Sequence, residues 1–382
     1  MVSYITRTSP ILFGVGAIEQ IGERVKGLGC KKVMLVTDAG LKSAGVTDEV
    51  VKHLTSAGLG VVQYDKVPSD PPDYAIEECA SIARAEGVDG VVGVGGGSVL
   101  DAAKAVNVLL TNPPPITAYY GVNVGKNPGK VLVLAPTTSG TGSEATAISV
   151  VSDSRTSKKS GVIGHYCTAT LAIVDPALTI KLPPALTAGT GMDAFSHAAE
   201  ALTSGLANPI SDILAERAIQ LITRYLPIAV ENGSDITART NMSLASLIAG
   251  IAFNDALPHF GHAIAHTMGG HFHVHHGTAC ALAIGPVIAH VASLVPDKVR
   301  IIGRAMGLDL RDDMPVEELG QEVAAAIKSF AAKVGITGLK QLNLDKSALE
   351  GIAADVPTDD CANFGPEKMT VEIAAKLLRA ME

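Results

Sequence analysis

The chain has 382 residues and a formal net charge of −8, with no basic run, which argues against a nucleic-acid partner. Hydrophobic residues make up 47% and charged residues 18%, which predicts a soluble protein with a large buried surface and no membrane partner. The low share of charged residues also predicts subunit contacts in a homodimer or larger homo-oligomer. This length is more than one hydrophobic core usually serves, so two domains are expected.

No segment of the sequence indicates export or a membrane span. The first residues, MVSYITRTSPILFG, lack the charged start and apolar core of a signal peptide. The longest apolar run, 279–295, contains Gly285, Pro286 and His290 and reads as a buried helix. The five cysteines are widely spaced without a CxxC pair, which fits a reducing cytoplasm and excludes a cysteine-based zinc site.

Strand and helix signals alternate in the first half of the chain. Short apolar runs bounded by charged residues, glycine or proline predict strands at 31–38, 60–67, 89–95, 130–136 and 169–176. Between the first of them, 48–58 and 74–87 have the helical spacing of apolar residues. This alternation predicts an α/β domain with a parallel sheet flanked by helices.

The pattern changes near Pro184. The stretches 208–226 and 240–253 read as long helices, and no convincing strand follows. Paired prolines and a glycine in KLPPALTAG mark the change. We therefore predict an α/β domain over 1–184 and an all-helical domain over 185–382.

A glycine-rich stretch, GVGGGSVLDAAKAV, runs from a predicted strand into a predicted helix. Gly95, Gly96 and Gly97 leave backbone N–H groups accessible to a phosphate, and Ser98 can cap the helix and donate to an oxygen. The dinucleotide pattern GxGxxG is not met, because Ser98 stands in place of the third glycine. A tight strand-to-helix turn is therefore the alternative to a phosphate site.

Two polar features after other predicted strands add to the case for a nucleotide. Asp38 ends the first clear strand, where a carboxylate can accept hydrogen bonds from a ribose diol and repel a 2′-phosphate. Its alternative is a helix N-cap. The loop PTTSGTGSEAT at 136–146 is rich in hydroxyls and glycines, which suits a phosphate or amide contact, although plain turns have this composition too.

Two pairs of polar residues have the four-residue spacing that places side chains on one helix face. Asp193 and His197 lie in GMDAFSHAAEA, and His262 and His266 lie in GHAIAH. A metalloprotease needs a glutamate after the first histidine, and Ala263 stands there. One carboxylate and three imidazoles would leave a divalent ion open to a substrate oxygen, whereas a single histidine is more simply a hydrogen-bonded core residue. The spacing predicts a metal site and leaves its fourth ligand open.

Seven segments, in order along nearly the whole chain, resemble the iron-containing alcohol dehydrogenase family. They are VTDAGL (36–41), GVGGGSVLDAAKA (93–105), PTTSGTGSE (136–144), VDPALT (174–179), GMDAFSHAAEA (191–201), GHAIAH (261–266) and HHG (275–277). The resemblance implies an NAD-binding α/β domain, here 1–184, followed by an all-helical metal-binding and catalytic domain, here 185–382, as in the dehydroquinate synthase-like superfamily. It also implies a metal-dependent, NAD(H)-linked alcohol dehydrogenase or aldehyde reductase.

The resemblance further implies the residues of the metal site. It assigns the ligands to Asp193, His197, His262 and His276, with Fe(II) expected and Zn(II) as the alternative. His266 matches the family's histidine near the nicotinamide, a proton-relay residue and not a ligand. Hydride would pass between the carbinol carbon and the nicotinamide while the alcohol proton leaves through His266 and water.

The cofactor contacts are implied in the same way. Asp38 matches the residue that favours NAD over NADP. The pyrophosphate loop is matched by Gly95, Gly96, Gly97 and Ser98. A second loop that contacts the cofactor is matched by Thr137, Thr138 and Thr141, and two neighbours of the cofactor are matched by Lys159 and Leu178.

The substrate pocket is where the chain departs from the family. Phe253, His259 and Cys361 are its expected residues, and His259 replaces a glycine that most members have. The C-terminal asparagine–proline–arginine motif is altered to NFGPEK at 363–368, which weakens the transfer of substrate contacts from that segment.

Additional histidines enrich the same region. His275 replaces a common proline, and His271 and His273 stand in the same loop. Together with His259 they are solvated surface residues, or contacts for a polar or anionic aldehyde such as a carboxylate or sulfonate. A third reading is that His273 or His275 competes for the ion.

The main prediction is therefore an enzyme acting on a small alcohol or aldehyde. A hydroxyacid–oxoacid transhydrogenase and a zinc-dependent polyol dehydrogenase are alternatives within the superfamily. A lyase of the dehydroquinate synthase type fits the histidine pattern poorly. A non-catalytic metal-binding or assembly protein is disfavoured, because every ligand position and the glycine loop are filled.

Overall fold

The computed structural model describes residues 5–6, 8–156 and 158–381. These residues form two compact units. The α/β unit takes in the described residues from 8 to 138 and from 142 to 180. The helical unit takes in 5–6, 139–141 and 181–381.

The α/β unit contains nine short strands and five α-helices among its described residues. The strands are β1 (Ile11–Phe13), β2 (Lys32–Val36), β3 (Gly60–Tyr64), β4 (Gly90–Gly95), β5 (Gly121–Val122), β6 (Val131–Pro136), β7 (Ile148–Ser152), β8 (Lys159–Ile163) and β9 (Leu171–Val174). The helices are α1 (Ile21–Gly27), α2 (Ala39–Ser43), α3 (Val46–Ser56), α4 (Asp73–Ala85) and α5 (Gly97–Leu109).

Six of these strands form one parallel sheet in the order β1-β9-β6-β4-β2-β3. Met34 and Val36 of β2 belong to one hydrophobic cluster, whereas Val33 and Leu35 belong to another. The sheet is thus covered on both faces, which explains why its strands read as continuous apolar runs and not as alternating ones. The chain runs from β2 to β3 on one side and returns to β4 on the other, so the strand order reverses between β2 and β4.

A smaller sheet of order β5-β8-β7 was not predicted from the sequence. β7 and β8 pair antiparallel, and their sequences, ISVVS and KSGVI, are short and rich in polar residues or glycine. Only their pairing identifies them as strands, because apolar patterning over so few residues is weak. Strand β1 was missed for the same reason, being three residues long.

The helical unit contains nine α-helices and no strand among its described residues. They are α6 (Pro184–Thr203), α7 (Pro209–Glu231), α8 (Ile236–Ala256), α9 (Phe260–Phe272), α10 (His276–Val291), α11 (Pro296–Ala305), α12 (Val316–Lys333), α13 (Lys346–Gly351) and α14 (Val371–Ala380). The predicted fold class, a parallel α/β domain followed by an all-helical domain, is confirmed. Helix α8 alone, among the described residues, has the length and composition to cross a membrane, and 61% of its apolar window is buried inside the protein.

Glycines set the close approach of α10 to α6. A Cβ built on Gly277, at the start of α10, would collide with the carbonyl oxygen of Gly189 on α6. Gly189 lies one helical turn before Asp193, so this contact brings the first turn of α10 beside the polar face of α6. The packing of α6 and α10 therefore places His276 next to Asp193.

Candidate active site

Three helices of the helical unit direct histidines at one carboxylate oxygen. The Oδ1 atom of Asp193 lies 3.7 Å from Nδ1 of His197, which is one turn further along α6. It lies 3.6 Å from Nε2 of His262 on α9 and 3.4 Å from Nε2 of His276 on α10. The residues that the family resemblance assigned to the metal are thus close together in the structure.

The chemistry of these donors fits a divalent cation. Asp193 Oδ1, His197 Nδ1 and His262 Nε2 are buried atoms without a hydrogen-bond partner, a state that costs free energy in the protein interior. A tetrahedral ion with ligands at about 2.1 Å separates neighbouring donor atoms by about 3.4 Å, close to the distances found here. The His276 side chain is 27% exposed, so solvent reaches the cluster on that side.

Electrostatic interactions within the cluster are strong. Burial would raise the pKa of Asp193, but His197, His276 and His262 outweigh burial and hold that pKa well below its usual range. Burial lowers the pKa of His197 to about 3, against the attraction of Asp193. Burial would also lower the pKa of His276, which Cys280 and Asp193 instead raise to about 9. A bound cation would replace these protons, because metal ligands bind in their deprotonated forms.

Glu200, which no sequence motif indicated, holds His262 by hydrogen bonds on the side away from Asp193. This fully buried carboxylate accepts the backbone N–H of Gly261 at 2.6 Å and that of His262 at 3.3 Å, at the start of α9. It also accepts a hydrogen bond from Nδ1 of His262. Metal-binding histidines commonly donate their second nitrogen to a carboxylate in this way, which directs Nε2 at the ion. Burial would raise the pKa of Glu200, but the charges of His259 and His262 and these hydrogen bonds lower it to about 2.

His259 is the other partner of this carboxylate. Its side chain is fully buried, with Nδ1 3.4 Å from Oε1 of Glu200 and Nε2 hydrogen-bonded to Thr203 Oγ1 at 2.8 Å. A solvated surface position is therefore excluded for His259. Its imidazole lies among groups that hold α6 and α9 together.

The remaining extra histidines lie differently. His271, His273 and His275 are exposed, and Nε2 of His271 is 2.9 Å from Oδ2 of Asp355. Among the described residues, none of the three belongs to a group of side chains close enough to share an ion.

His266 is held by a carboxylate of its own. Its Nδ1 lies 3.0 Å from Oδ2 of Asp359, and its ring stacks on His276 with centroids 5.3 Å apart. The other oxygen of Asp359 accepts the N–H of Cys361 at 2.9 Å. Burial would raise the pKa of Asp359, but His266 keeps it lowered. Asp359 was also missed from the sequence, because it is distant from His266 along the chain.

Phe253 provides an apolar surface beside the histidine cluster. Its ring stacks on His197, with centroids 4.2 Å apart and an interplanar angle of 14°. It comes from α8, and only 6% of the residue is exposed. Of the predicted pocket residues, Phe253 thus contacts His197 directly. Cys361 contacts Asp359, which is the hydrogen-bond partner of His266.

One cysteine, which the sequence reading left out of the metal site, lies beside the histidine cluster. The side chain of Cys280 lies one turn after His276 on α10, and its Sγ is 3.6 Å from Nε2 of His276. Ligand atoms of Asp193, His262, His276 and Cys280 all lie within 4.8 Å of one another. Spacing rules look for paired cysteines, so a single cysteine joined to histidines by tertiary packing escapes them.

In the α/β unit, the predicted cofactor residues gather at the carboxyl ends of β2, β4 and β6. The glycine loop follows β4, and the N–H of Thr137, after β6, donates to the carbonyl of Gly95 at 2.9 Å. A Cβ on Gly96 would lie 3.4 Å from the methyl group of Thr138. Helix α5 begins directly at Gly97, with its first N–H groups at this edge. In doubly wound sheets, ligands bind outside the carboxyl ends at the point where strand order reverses, here between β2 and β4.

Asp38 follows β2 at the same edge and also caps a helix. Its Oδ1 accepts the N–H of Leu41 at 2.9 Å at the start of α2. Ser98 does not cap α5, whose N-cap is Gly96; its hydroxyl instead accepts the N–H of Asp70 at 3.2 Å. Asp70 in turn binds Nζ of Lys159 at 2.7 Å, which connects Lys159 with the glycine loop.

The last two predicted cofactor residues, Leu178 and Thr141, are distant from the glycine loop along the chain. Leu178 packs, partly buried, against the hydrophobic cluster under the sheet, in a turn that follows β9. Thr141 belongs to the helical unit.

Two family models match the chain. The model described as iron-containing alcohol dehydrogenase matches residues 8–176. The model described as Fe-containing alcohol dehydrogenase family, C-terminal, matches residues 187–381.

Similar proteins agree with the family models. The NAD-dependent methanol dehydrogenase of Bacillus methanolicus is 36% identical over 96% of this chain and 97% of its own length. The sulfoacetaldehyde reductase of Bilophila wadsworthia is 36% identical over 90% of this chain and 89% of its own length. The solved structure of an alcohol dehydrogenase from Oenococcus oeni has a TM-score of 0.95 and 33% identity, covering 100% of both chains.

The chain belongs to the iron-containing alcohol dehydrogenase family. The predicted enzyme class, an NAD-dependent, metal-dependent alcohol dehydrogenase, is confirmed with it.

Proposed function

We propose that this enzyme interconverts a short primary alcohol and its aldehyde, using a divalent metal held by Asp193, His197, His262 and His276. The observation that carries the proposal is the convergence of three imidazole nitrogens on the buried Oδ1 of Asp193 at 3.4 to 3.7 Å. A divalent cation bound there supplies Lewis acidity, which lowers the pKa of an alcohol hydroxyl and polarises an aldehyde carbonyl. Fe(II) is the proposed metal and Zn(II) the alternative, since this donor set suits both.

His266 is the proposed proton relay of the reaction. Asp359 binds Nδ1 of His266 and so fixes the orientation of the ring, whose face lies against His276. A histidine held in this way can take the proton of the alcohol during oxidation and return it during reduction. Phe253, stacked on His197, gives the substrate carbon chain an apolar contact beside the ligands.

The cofactor is proposed to be NAD(H), bound at the carboxyl edge of the sheet between β2 and β4. The N–H groups at the start of α5, beside Gly95 and Gly96, suit the pyrophosphate. The Asp38 carboxylate suits the ribose diol and disfavours a 2′-phosphate by charge repulsion.

The substrate is proposed to be small and neutral. His259, which could have met an anionic group, is buried against Glu200 and Thr203. The apolar ring of Phe253 also favours an uncharged carbon chain. An anionic aldehyde is the second candidate, because a relative of 36% identity bears the name sulfoacetaldehyde reductase.

These proposals are tested by absorbance at 340 nm with metal-stripped enzyme reconstituted separately with iron(II) and zinc. NADH or NADPH is offered with short aldehydes, half neutral and half bearing a carboxylate or sulfonate. Metal-dependent oxidation of NADH, faster with the neutral half, supports the proposal. Preference for the anionic half replaces the neutral substrate by the second candidate. Turnover of two substrates without added NADH points to the transhydrogenase.

A further inference from the structure

We propose that Cys280 is a thiolate ligand of the metal, in addition to the carboxylate and histidine ligands on which the proposed function rests. Helical spacing of four residues places Cys280 and His276 on the same face of α10, the face that meets α6. Its side chain is fully buried, and its sulfur lies within 4.8 Å of donor atoms of Asp193 and His262.

The distance between the sulfur and its neighbouring nitrogen supports a shared ion. Zinc binds sulfur at about 2.3 Å and imidazole nitrogen at about 2.1 Å, so two such donors at the angles of about 90 to 120° found in a five-coordinate ion lie about 3.1 to 3.8 Å apart. Sγ of Cys280 and Nε2 of His276 are 3.6 Å apart. The same distance is long for a hydrogen bond between nitrogen and oxygen, though ordinary for one to sulfur.

A thiolate ligand changes which metal the site prefers. Carboxylate and imidazole donors together bind many divalent ions, from magnesium and manganese to iron and zinc, whereas thiolate donors favour softer ions such as zinc. Replacing Cys280 by serine removes the soft donor and keeps the volume nearly unchanged. We therefore expect Cys280→Ser to lower zinc affinity at least about tenfold and manganese affinity much less.

Cobalt(II) substitution of the full-length enzyme tests the ligand directly. A cobalt–thiolate bond gives a charge-transfer band in the near ultraviolet, whereas oxygen and nitrogen ligands give only the weaker visible bands. The wild type should show the charge-transfer band, and Cys280→Ser should lose it while keeping the visible bands and one bound cobalt per chain. Cys361→Ser is the matched control, because Cys361 lies with His266 and Asp359 in a neighbouring group of donors and not with Asp193.

Several outcomes overturn the proposal. If wild-type enzyme binds cobalt without a charge-transfer band, Cys280 is not a ligand and the proposed function still stands. If the band disappears in Cys361→Ser and persists in Cys280→Ser, the thiolate belongs to the neighbouring group. If the wild type binds no cobalt, zinc or iron, this proposal and the proposed function both fail.

X-ray absorption of the zinc-loaded wild type and Cys361→Ser enzymes gives the answer without the Cys280→Ser variant, should that variant fail to fold. A sulfur neighbour at about 2.3 Å supports the proposal, provided that Cys361→Ser retains it. A first shell of nitrogen and oxygen alone at about 2.0 to 2.1 Å overturns it.

Discussion

Glu200→Gln is predicted to weaken metal binding while leaving the fold intact. The glutamate is fully buried and accepts hydrogen bonds from the Gly261 and His262 N–H groups and from Nδ1 of His262. Glutamine keeps the size of the side chain but has one acceptor oxygen. Its NH₂ group must face either a backbone N–H or the imidazole N–H, so at least one of these donors loses its partner.

The magnitude follows from these lost contacts. Removing the carboxylate that orients a metal-binding histidine costs about 10- to 100-fold in metal affinity, or about 1.4 to 2.8 kcal/mol. The negative charge at the start of α9 is lost as well, which adds about 0.3 to 1 kcal/mol of helix destabilisation. We therefore expect a 10- to 100-fold larger dissociation constant for zinc.

The assay is competition for zinc between the enzyme and a chelator of known affinity, with circular dichroism to check the fold. Glu322→Gln is the control, since Glu322 is an exposed residue of α12 outside the site. A zinc affinity within twofold of wild type in a folded Glu200→Gln would refute the idea that Glu200 orients His262.

Three further predictions concern the α/β unit. Burial raises the pKa of Glu144 to about 7, above its ordinary value of 4.5, so the folded state binds more protons between these values and stability falls as pH rises from about 4.5 to 7. Glu144→Gln should remove about 3 kcal/mol of this fall, which is measured by urea unfolding at about pH 4.5 and about pH 7. A free energy of unfolding that falls between the two pH values as much in the variant as in the wild type would contradict the prediction. Lys104 is fully buried and donates to Ser143 Oγ at 2.8 Å and to the Ile148 carbonyl at 2.6 Å. Lys104→Met should therefore lower the free energy of unfolding by about 3 to 5 kcal/mol, seen as a lower urea midpoint. A decrease below about 1 kcal/mol would count against this. Asp38→Asn keeps the N-cap of α2 and removes the charge, so the kcat/KM ratio of NADPH to NADH should rise about tenfold or more, and an unchanged ratio would exclude Asp38 as the discriminating residue.

The α/β sheet could be read from the sequence because its strands are buried on both faces. Such strands are continuous apolar runs, and β2, β4 and β6 lie within the segments predicted for them. The strands β7 and β8 could not be read, since a short hairpin with lysine, serine and glycine has no apolar pattern of its own. Their existence depends on pairing with each other and with β5.

The sequence by itself determined the pairs Asp193–His197 and His262–His266, because helical spacing of four residues is a local property of the chain. Only tertiary structure decided what surrounds them. Glu200 reaches the start of α9, and Cys280 lies near Asp193 and His262, because α6, α9 and α10 approach closely, with Gly277 against Gly189. His259 shows the same limit: its burial against Glu200 arises from helix packing, and no pattern in LPHFGH records it. Local spacing therefore identifies which side chains share a helix face, whereas contacts between helices depend on packing that only the folded chain contains.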